Sequence, residues 1–149
     1  MLRLADSAPV ERLVRRFPCN KILHWCANFG TLQSMIDRSK KLPARFYVTP
    51  AGGKPVREWI LAMSGADRHT IGKDIQKVEF GWPLGRPHCA PLGNGLWEVR
   101  SDLDSNRIAR VIFCMGDGHM ILLHGFIKKT QKTPQADITL ALKRKREVM

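Results

Sequence analysis

The chain has 149 residues and 44% hydrophobic content, which is enough for a domain with a modest core and argues against global disorder. Its formal net charge of +12 at pH 7 favours an anionic partner: nucleic acid, an acidic protein or an anionic membrane surface. No apolar run reaches the ~20 residues needed to cross a bilayer, and the basic N-terminus lacks the apolar region of a secretory signal.

The cysteines are scattered and form no C-x-x-C pair. They are Cys19, Cys26, Cys89 and Cys114. This usage is typical of reduced thiols, so we predict a cytoplasmic protein without a membrane partner. The spacing of Cys19, His24 and Cys26 fits no standard zinc finger, so we expect no metal site and no other cofactor.

Residues 1–43 are predicted to be a basic N-terminal extension, separate from a domain at residues 44–149. Val10–Phe17 has helical amphipathicity, and Pro18 would end that helix. Three interpretations stay open for the extension: an added helical arm, a disordered basic tail, or sequence translated upstream of the true start. Met35 stands just before the domain and would suit the third interpretation.

The first part of the domain predicts a strand and two helices. Ala44–Thr49 has strand character, and a Pro-Ala-Gly-Gly turn follows it. Pro55 suits the first turn of a helix, and Ser64-Gly65 would end that helix. Asp67 could cap the second helix. The apolar stripes are Val56, Trp59, Ile60 and Met63 in the first helix, and Ile71, Ile75 and Val78 in the second.

The second part predicts a loop, three antiparallel strands and a final helix. Residues 83–95 are rich in Pro and Gly without periodicity, which indicates a loop. The strands are Leu96–Ser101, Arg107–Met115 and His119–Ile127, separated by turn-forming residues. Thr133 would cap a helix running from Pro134 to about Glu147, with residues 143–146 pointing outward.

These elements predict an α+β fold of order β-α-α-β-β-β-α, with a four-stranded, mainly antiparallel sheet. The helices would cover one face of the sheet and leave the other for a ligand. Alternation along the strands gives the sheet two faces. If Trp97 and Phe113 belong to the core, Glu98, Arg100 and Arg110 share a second, wetter face.

The segments GLWEVR, RIARVIF and LLHGFIKKTQKTP resemble the phage-derived Gp49-like branch of the RelE/HigB toxins, and the resemblance runs from about Ala44 to the C-terminus. It implies a small RelE-like fold and the toxin of a type II toxin–antitoxin pair. The implied activity is metal-independent cleavage of mRNA on the ribosome. The implied partner is an antitoxin, with a helix-turn-helix DNA-binding domain.

By match to the family motif, Arg100 and Arg110 would stabilise charge on the scissile phosphate. Glu98 would be the general base or would orient the arginines. Better-known members carry a lysine at that place, so the residue departs from their pattern. Lys128 matches the first of a basic pair that would grip the RNA or complete the site.

The remaining predicted site residues are less specific. His124 carries an imidazole, the side chain best suited to proton transfer near neutral pH, but it could equally be a buried histidine bonded to backbone. The further predicted RNA contacts are Arg107, Lys129, Lys132, Lys143 and Arg144. Lys143 and Arg144 lie in a charge run that is more often a solvated helix face.

Two other functions stay open. The protein could be a ParE-like toxin that inhibits DNA gyrase without cutting RNA, or an inactive nucleic-acid-binding regulator. Without the resemblance, Glu98 and Arg100 would be read as an ion pair on an exposed sheet face that contributes little.

Overall fold

The computed structural model of the protein describes residues 39–129 and 132–149. Nearly all of the predicted N-terminal extension, with its helix at Val10–Phe17 and the Cys19, His24 and Cys26 group, lies outside these residues. The elements in chain order are β1 Ala44–Phe46, α1 Pro55–Leu61, α2 Gly65–Gly81, β2 Cys89–Gly93, β3 Leu96–Leu103, β4 Arg107–Gly116, β5 His119–Lys128 and α3 Gln135–Val148.

The α+β fold class is confirmed, but the sheet has five strands instead of the predicted four. Their order is β1-β5-β4-β3-β2, with β1 parallel to β5 and every other pair antiparallel. The strand that was missed is β2, which lies within the predicted loop. Pro91 and Gly93 hide its periodicity, and an edge strand tolerates both because one side of it forms no ladder.

The predicted three-stranded meander is confirmed, with strands slightly longer than expected. The β3–β4 turn has positive φ at Ser105 and Asn106, and the β4–β5 turn has positive φ at Asp117 and Gly118. Asn, Asp and Gly adopt this conformation at low cost, which explains why the strands reverse at these residues.

The two helices of the first half begin as their sequences require. Pro55 occupies the start of α1, where its missing N–H costs no hydrogen bond. The cap of α2 differs from the prediction, because Ser64 Oγ accepts a hydrogen bond from the Asp67 backbone N–H at 3.2 Å. The Asp67 carboxylate is instead occupied by Arg107.

Both faces of the sheet are covered. One face packs under α1 and α2, and its core includes Val56, Ile71 and Phe113. The other face packs under α3, with a core that includes Leu123 and Ala141. The prediction that helices leave one face open is therefore wrong, since the apolar side of α3 needs the same sheet for its own burial.

A close approach between α1 and β5 explains the glycine in the middle of that strand. A Cβ atom at Gly125 would lie 2.4 Å from Cε3 of Trp59, so the indole occupies the space that a side chain would need. Trp59, Trp82 and Trp97 all pack against the core beneath α1 and α2, as expected for core residues.

Within the described ranges, no helix has the length and apolar character that a membrane crossing requires.

Candidate functional site: an arginine–glutamate cluster beside a histidine–aspartate pair

The strand register brings the predicted catalytic residues into two neighbouring rows across the sheet. Arg100 on β3 is the partner of Arg110 on β4, and Arg110 is the partner of Phe126 on β5. In the adjacent row, Ile112 on β4 lies between Glu98 and His124. All these side chains share the face that α3 covers, so the predicted grouping of Glu98, Arg100 and Arg110 on one face is confirmed.

Glu98 is the centre of what we call the arginine–glutamate cluster, formed by Glu98, Arg100, Arg110 and Thr133. Arg100 Nε and Nη2 each lie 2.7 Å from Glu98 Oε1. Arg110 Nη1 lies 3.1 Å from Oε2, and the Thr133 hydroxyl donates to the same oxygen at 3.0 Å. Arg110 Nη1 also donates to the Thr133 hydroxyl. Both carboxylate oxygens therefore accept hydrogen bonds from fixed donors.

The side chains of the cluster differ in their exposure to solvent, because two are buried and one is partly accessible. The side chains of Glu98 and Arg110 are 1% and 4% exposed, whereas that of Arg100 is 28% exposed. The prediction that all three lie on a wet face is wrong for Glu98 and Arg110. Thr133 and α3 cover them, and the ion pair makes their burial tolerable.

The environment of Arg110 is dominated by its burial. Desolvation lowers the pKa of its guanidinium, and the positive charges of Arg100 and Arg86 act in the same direction, while Glu98 opposes them. The guanidinium still carries its charge at neutral pH, because the ordinary pKa of an arginine side chain lies far above that pH. Its Nε is buried and has no hydrogen-bond partner among the residues that the structure describes.

His124 lies in the same row as Glu98, with Ile112 between them, and contacts α3. Its Nε2 is 2.8 Å from Asp137 Oδ1, and its ring stacks on Phe126 at a centroid distance of 5.7 Å and an interplanar angle of 19°. The side chains of His124 and Asp137 are 18% and 23% exposed. The partner of this histidine is thus a carboxylate, whereas the alternative interpretation expected a backbone group.

The predicted RNA-binding residues separate into two groups. Lys128 is half-buried at the end of β5, on the same face as the cluster, because it is the register partner of Ile108. Lys129 and Lys132 are exposed on the connection to α3, and Lys143 is exposed on α3 itself.

Two other predicted contacts are directed away from the site. Arg107 Nη2 lies 3.0 and 3.1 Å from the two carboxylate oxygens of Asp67, which ties β4 to α2 beneath the opposite face. Arg144 Nη1 donates to the Leu123 carbonyl at 2.7 Å, and the guanidinium lies over the Tyr47 ring. The outward direction predicted for Arg144 is wrong, since it helps to hold α3 on the sheet.

Thr133 and Asp137 are members of the site that sequence reasoning did not assign. Thr133 was predicted as a helix cap, but Pro134 occupies the cap position, so its hydroxyl is available to Glu98 and Arg110. Thr133 lies one residue before the cap and outside the helix, so helical spacing does not relate it to Asp137, and no sequence signal assigned either residue to the site.

The described residues contain no cluster of three or more His, Cys, Asp or Glu able to hold a metal ion. The groups that the site itself offers are the partly exposed guanidinium of Arg100, the imidazole of His124 on β5 and the lysines at the end of β5 and beyond it.

Residues 58–146 match the family described as phage-derived protein Gp49-like (DUF891). The chain belongs to this family. The Gp49-like family is part of the RelE/HigB-like toxin group, and its members are usually related to toxin–antitoxin systems. The matched range contains the whole candidate site, from Glu98 to Asp137. No curated protein matches the chain.

Family membership confirms the resemblance on which the site residues were chosen. It also supports a cognate antitoxin as a partner of this Gp49-like protein.

Proposed function

We propose that this Gp49-like protein is the toxin of a type II toxin–antitoxin pair and cleaves mRNA on the ribosome without a metal ion. In this reaction the 2′-hydroxyl of the transcript attacks the adjacent phosphorus, and the bond to the 5′-oxygen breaks. The products are a 2′,3′-cyclic phosphate and a 5′-hydroxyl end. The protein has to stabilise the extra negative charge on the phosphate and help the protons move.

The observation that carries the proposal is the way in which Glu98 holds Arg100. Two nitrogen atoms of the Arg100 guanidinium bond to one carboxylate oxygen at 2.7 Å, while the side chain stays 28% exposed. A cation fixed before substrate arrives needs no reorganisation during the reaction, and preorganised charge is usually the largest contribution to catalysis. Arg100 is therefore the residue that contacts the phosphate.

The burial of Arg110 gives it a different role from the one that the family motif implies. A guanidinium that is 4% exposed and bonded to Glu98 supports the carboxylate instead of meeting RNA. Glu98 in turn accepts bonds from Arg100, Arg110 and Thr133, so it orients the arginines and is poorly placed to remove a proton. Proton transfer falls to His124, a partly exposed imidazole in the same row as Glu98.

The lysines at the end of β5 and beyond it extend the cationic surface of the site. Lys128 is the last residue of the strand that carries His124, and Lys129 and Lys132 follow that strand and are exposed. Such residues bind the RNA backbone without reading sequence, so the affinity they provide should weaken with salt. The ribosome would align the transcript in the site, and such positioning can by itself account for a large part of a rate enhancement.

A test compares Arg100→Ala with Arg100→Lys, which keeps the charge but loses the planar fork. Each is expressed in bacteria while growth and transcript ends are followed. We expect wild type to arrest growth and produce new transcript 5′ ends, Arg100→Ala to lose both, and Arg100→Lys to retain a small part. Arg45→Ala, at an exposed position of β1, is the matched control and should behave as wild type. Full cleavage by a folded Arg100→Ala protein would refute the phosphate role.

The second candidate is a ParE-like toxin that inhibits DNA gyrase. The ion pair between Arg110 and Glu98 favours it, because a buried arginine paired with a carboxylate needs no substrate to explain it. The same experiment separates the two functions. Gyrase inhibition would give DNA damage without new transcript ends, and it would be insensitive to the loss of Arg100.

A further inference from the structure

The start of α3 supplies a carboxylate to the candidate site at a position that the proposed function does not use. Asp137 Oδ1 lies 2.8 Å from Nε2 of His124, and the two side chains are about equally shielded from solvent, at 23% and 18% exposed. We propose that Asp137 is a positioning residue for the endonuclease, acting through His124. This inference rests on the proposed function and assigns to it one further residue.

The contact fixes which nitrogen of the imidazole carries the proton. A carboxylate only accepts hydrogen bonds, so Nε2 of His124 must be the donor toward Asp137. In a neutral imidazole the other nitrogen, Nδ1, then has a free lone pair. Nδ1 is thus the atom that exchanges a proton with the substrate.

The ring is also held in its plane. Phe126 stacks against it from within the same strand, at an interplanar angle of 19°. Phe126 is in turn the register partner of Arg110, so the ring that restrains the imidazole lies on the strand position next to a member of the arginine–glutamate cluster. The imidazole is thus fixed at one edge by a carboxylate and at one face by an aromatic ring, and a third group that orients the base in this way is one part of the arrangement that activates a nucleophile.

The chain contacts both parts of the site where it enters α3. Thr133, just before the helix cap, bonds to Glu98 of the cluster, and Asp137, in the first turn of α3, bonds to His124. In the reaction, the 2′-hydroxyl proton passes to Nδ1 as the 2′-oxygen attacks phosphorus. The bond from phosphorus to the 5′-oxygen breaks, and that oxygen takes a proton from water. The imidazolium later returns its proton to solvent.

The first experiment measures the tautomer of His124 directly, with no need for activity. Nitrogen-15 chemical shifts of the histidine rings, assigned with a His124→Gln variant, report which ring nitrogen is protonated. We expect the neutral Nε2–H form for wild type at a pH above the imidazole titration. A neutral Nδ1–H form would overturn the inference.

The second experiment measures single-turnover cleavage of mRNA on programmed ribosomes at saturating and subsaturating protein. Asp137→Asn should lower the saturating rate constant roughly 10- to 100-fold, with little change in the half-saturating concentration, because general-base catalysis is weakened while RNA binding is kept. Asp137→Glu should recover part of the rate. Asp117→Asn is the matched control, since it removes the same charge from an exposed turn whose φ of 49° asparagine accepts.

The outcomes distinguish this inference from the proposed function. Ribosomes on which wild type cuts nothing would refute the endonuclease and the role of Asp137 with it. An active wild type, with Asp137→Asn as fast as Asp117→Asn, would refute the positioning role alone. A fall in rate matched by an equal loss in urea unfolding stability, with the tautomer unchanged, would also overturn it, because a purely structural contact behaves in that way.

Discussion

Replacing Arg110 with alanine tests whether this residue supports the site from within. The change leaves the Glu98 carboxylate, 1% exposed, with Arg100 and Thr133 but without its buried counter-ion. At an effective dielectric constant of about 20, unit charges at the observed 3.1 Å attract by roughly 5 kcal/mol. Removing the guanidinium also removes its own desolvation cost, and Arg100 remains at 2.7 Å from Glu98. We therefore expect a loss of ~3 kcal/mol in the free energy of unfolding.

The assay is urea unfolding followed by tryptophan fluorescence, because Trp59, Trp82 and Trp97 pack against the core and report its integrity. A loss of this size corresponds to a fall of about 10 °C in Tm for a domain of this length. Arg45→Ala is the control for loss of an exposed arginine and should change stability by less than ~0.5 kcal/mol.

A double variant separates the ion pair from simple loss of packing. The double variant Glu98→Gln, Arg110→Met removes both charges. It should therefore lower the free energy of unfolding by less than the sum of the losses in Glu98→Gln and in Arg110→Met measured singly. Strict additivity, or an Arg110→Ala protein as stable as wild type, would refute the argument. The ion pair would then contribute nothing to stability, and the supporting role assigned to Arg110 would be lost.

Three further predictions concern the framework around the site. Gly125→Ala should destabilise the protein by about 1–3 kcal/mol in urea unfolding, because the new methyl group meets the Trp59 ring, whereas a loss under ~0.5 kcal/mol would contradict that contact. Ser64→Ala should cost about 1 kcal/mol by removing the cap bond to the Asp67 backbone N–H, and Ser64→Thr should restore most of it. Burial raises the pKa of the Cys89 thiol from 9.0 to about 11, so the unfolded chain loses this proton first as pH rises. Stability attributable to Cys89 is therefore full below pH 9 and declines toward pH 11, a fall that Cys89→Ala should lack.

The sequence predicted the parts of the fold that have a clear period or clear turn chemistry. The meander of β3, β4 and β5 and the stripes of α1 and α2 are of this kind, because alternation and helical spacing report directly on which residues are buried. The edge strand β2 could not be predicted in this way, since Pro91 and Gly93 remove its alternation and only the neighbouring β3 defines it.

The sequence predicted which site residues share a face of the sheet, but it did not predict how deeply they are buried. Strand parity placed Glu98, Arg100 and Arg110 together, and the register confirms it. Parity cannot say what lies above a face, so the cover that Thr133 and α3 provide over Glu98 and Arg110 was missed. A carboxylate between two arginines is a pattern that an open surface and a buried network share, and only packing decides between them.

The chemistry of the transcript ends tests the central claim most directly. RNA from cells producing the protein is ligated to an adaptor with and without prior 5′-phosphorylation, and the new ends are mapped. Attack by the 2′-hydroxyl predicts new ends that ligate only after phosphorylation, together with 2′,3′-cyclic phosphates on the upstream fragments, all absent with Arg100→Ala. New ends bearing 5′-phosphates, or growth arrest with intact transcripts, would contradict the account.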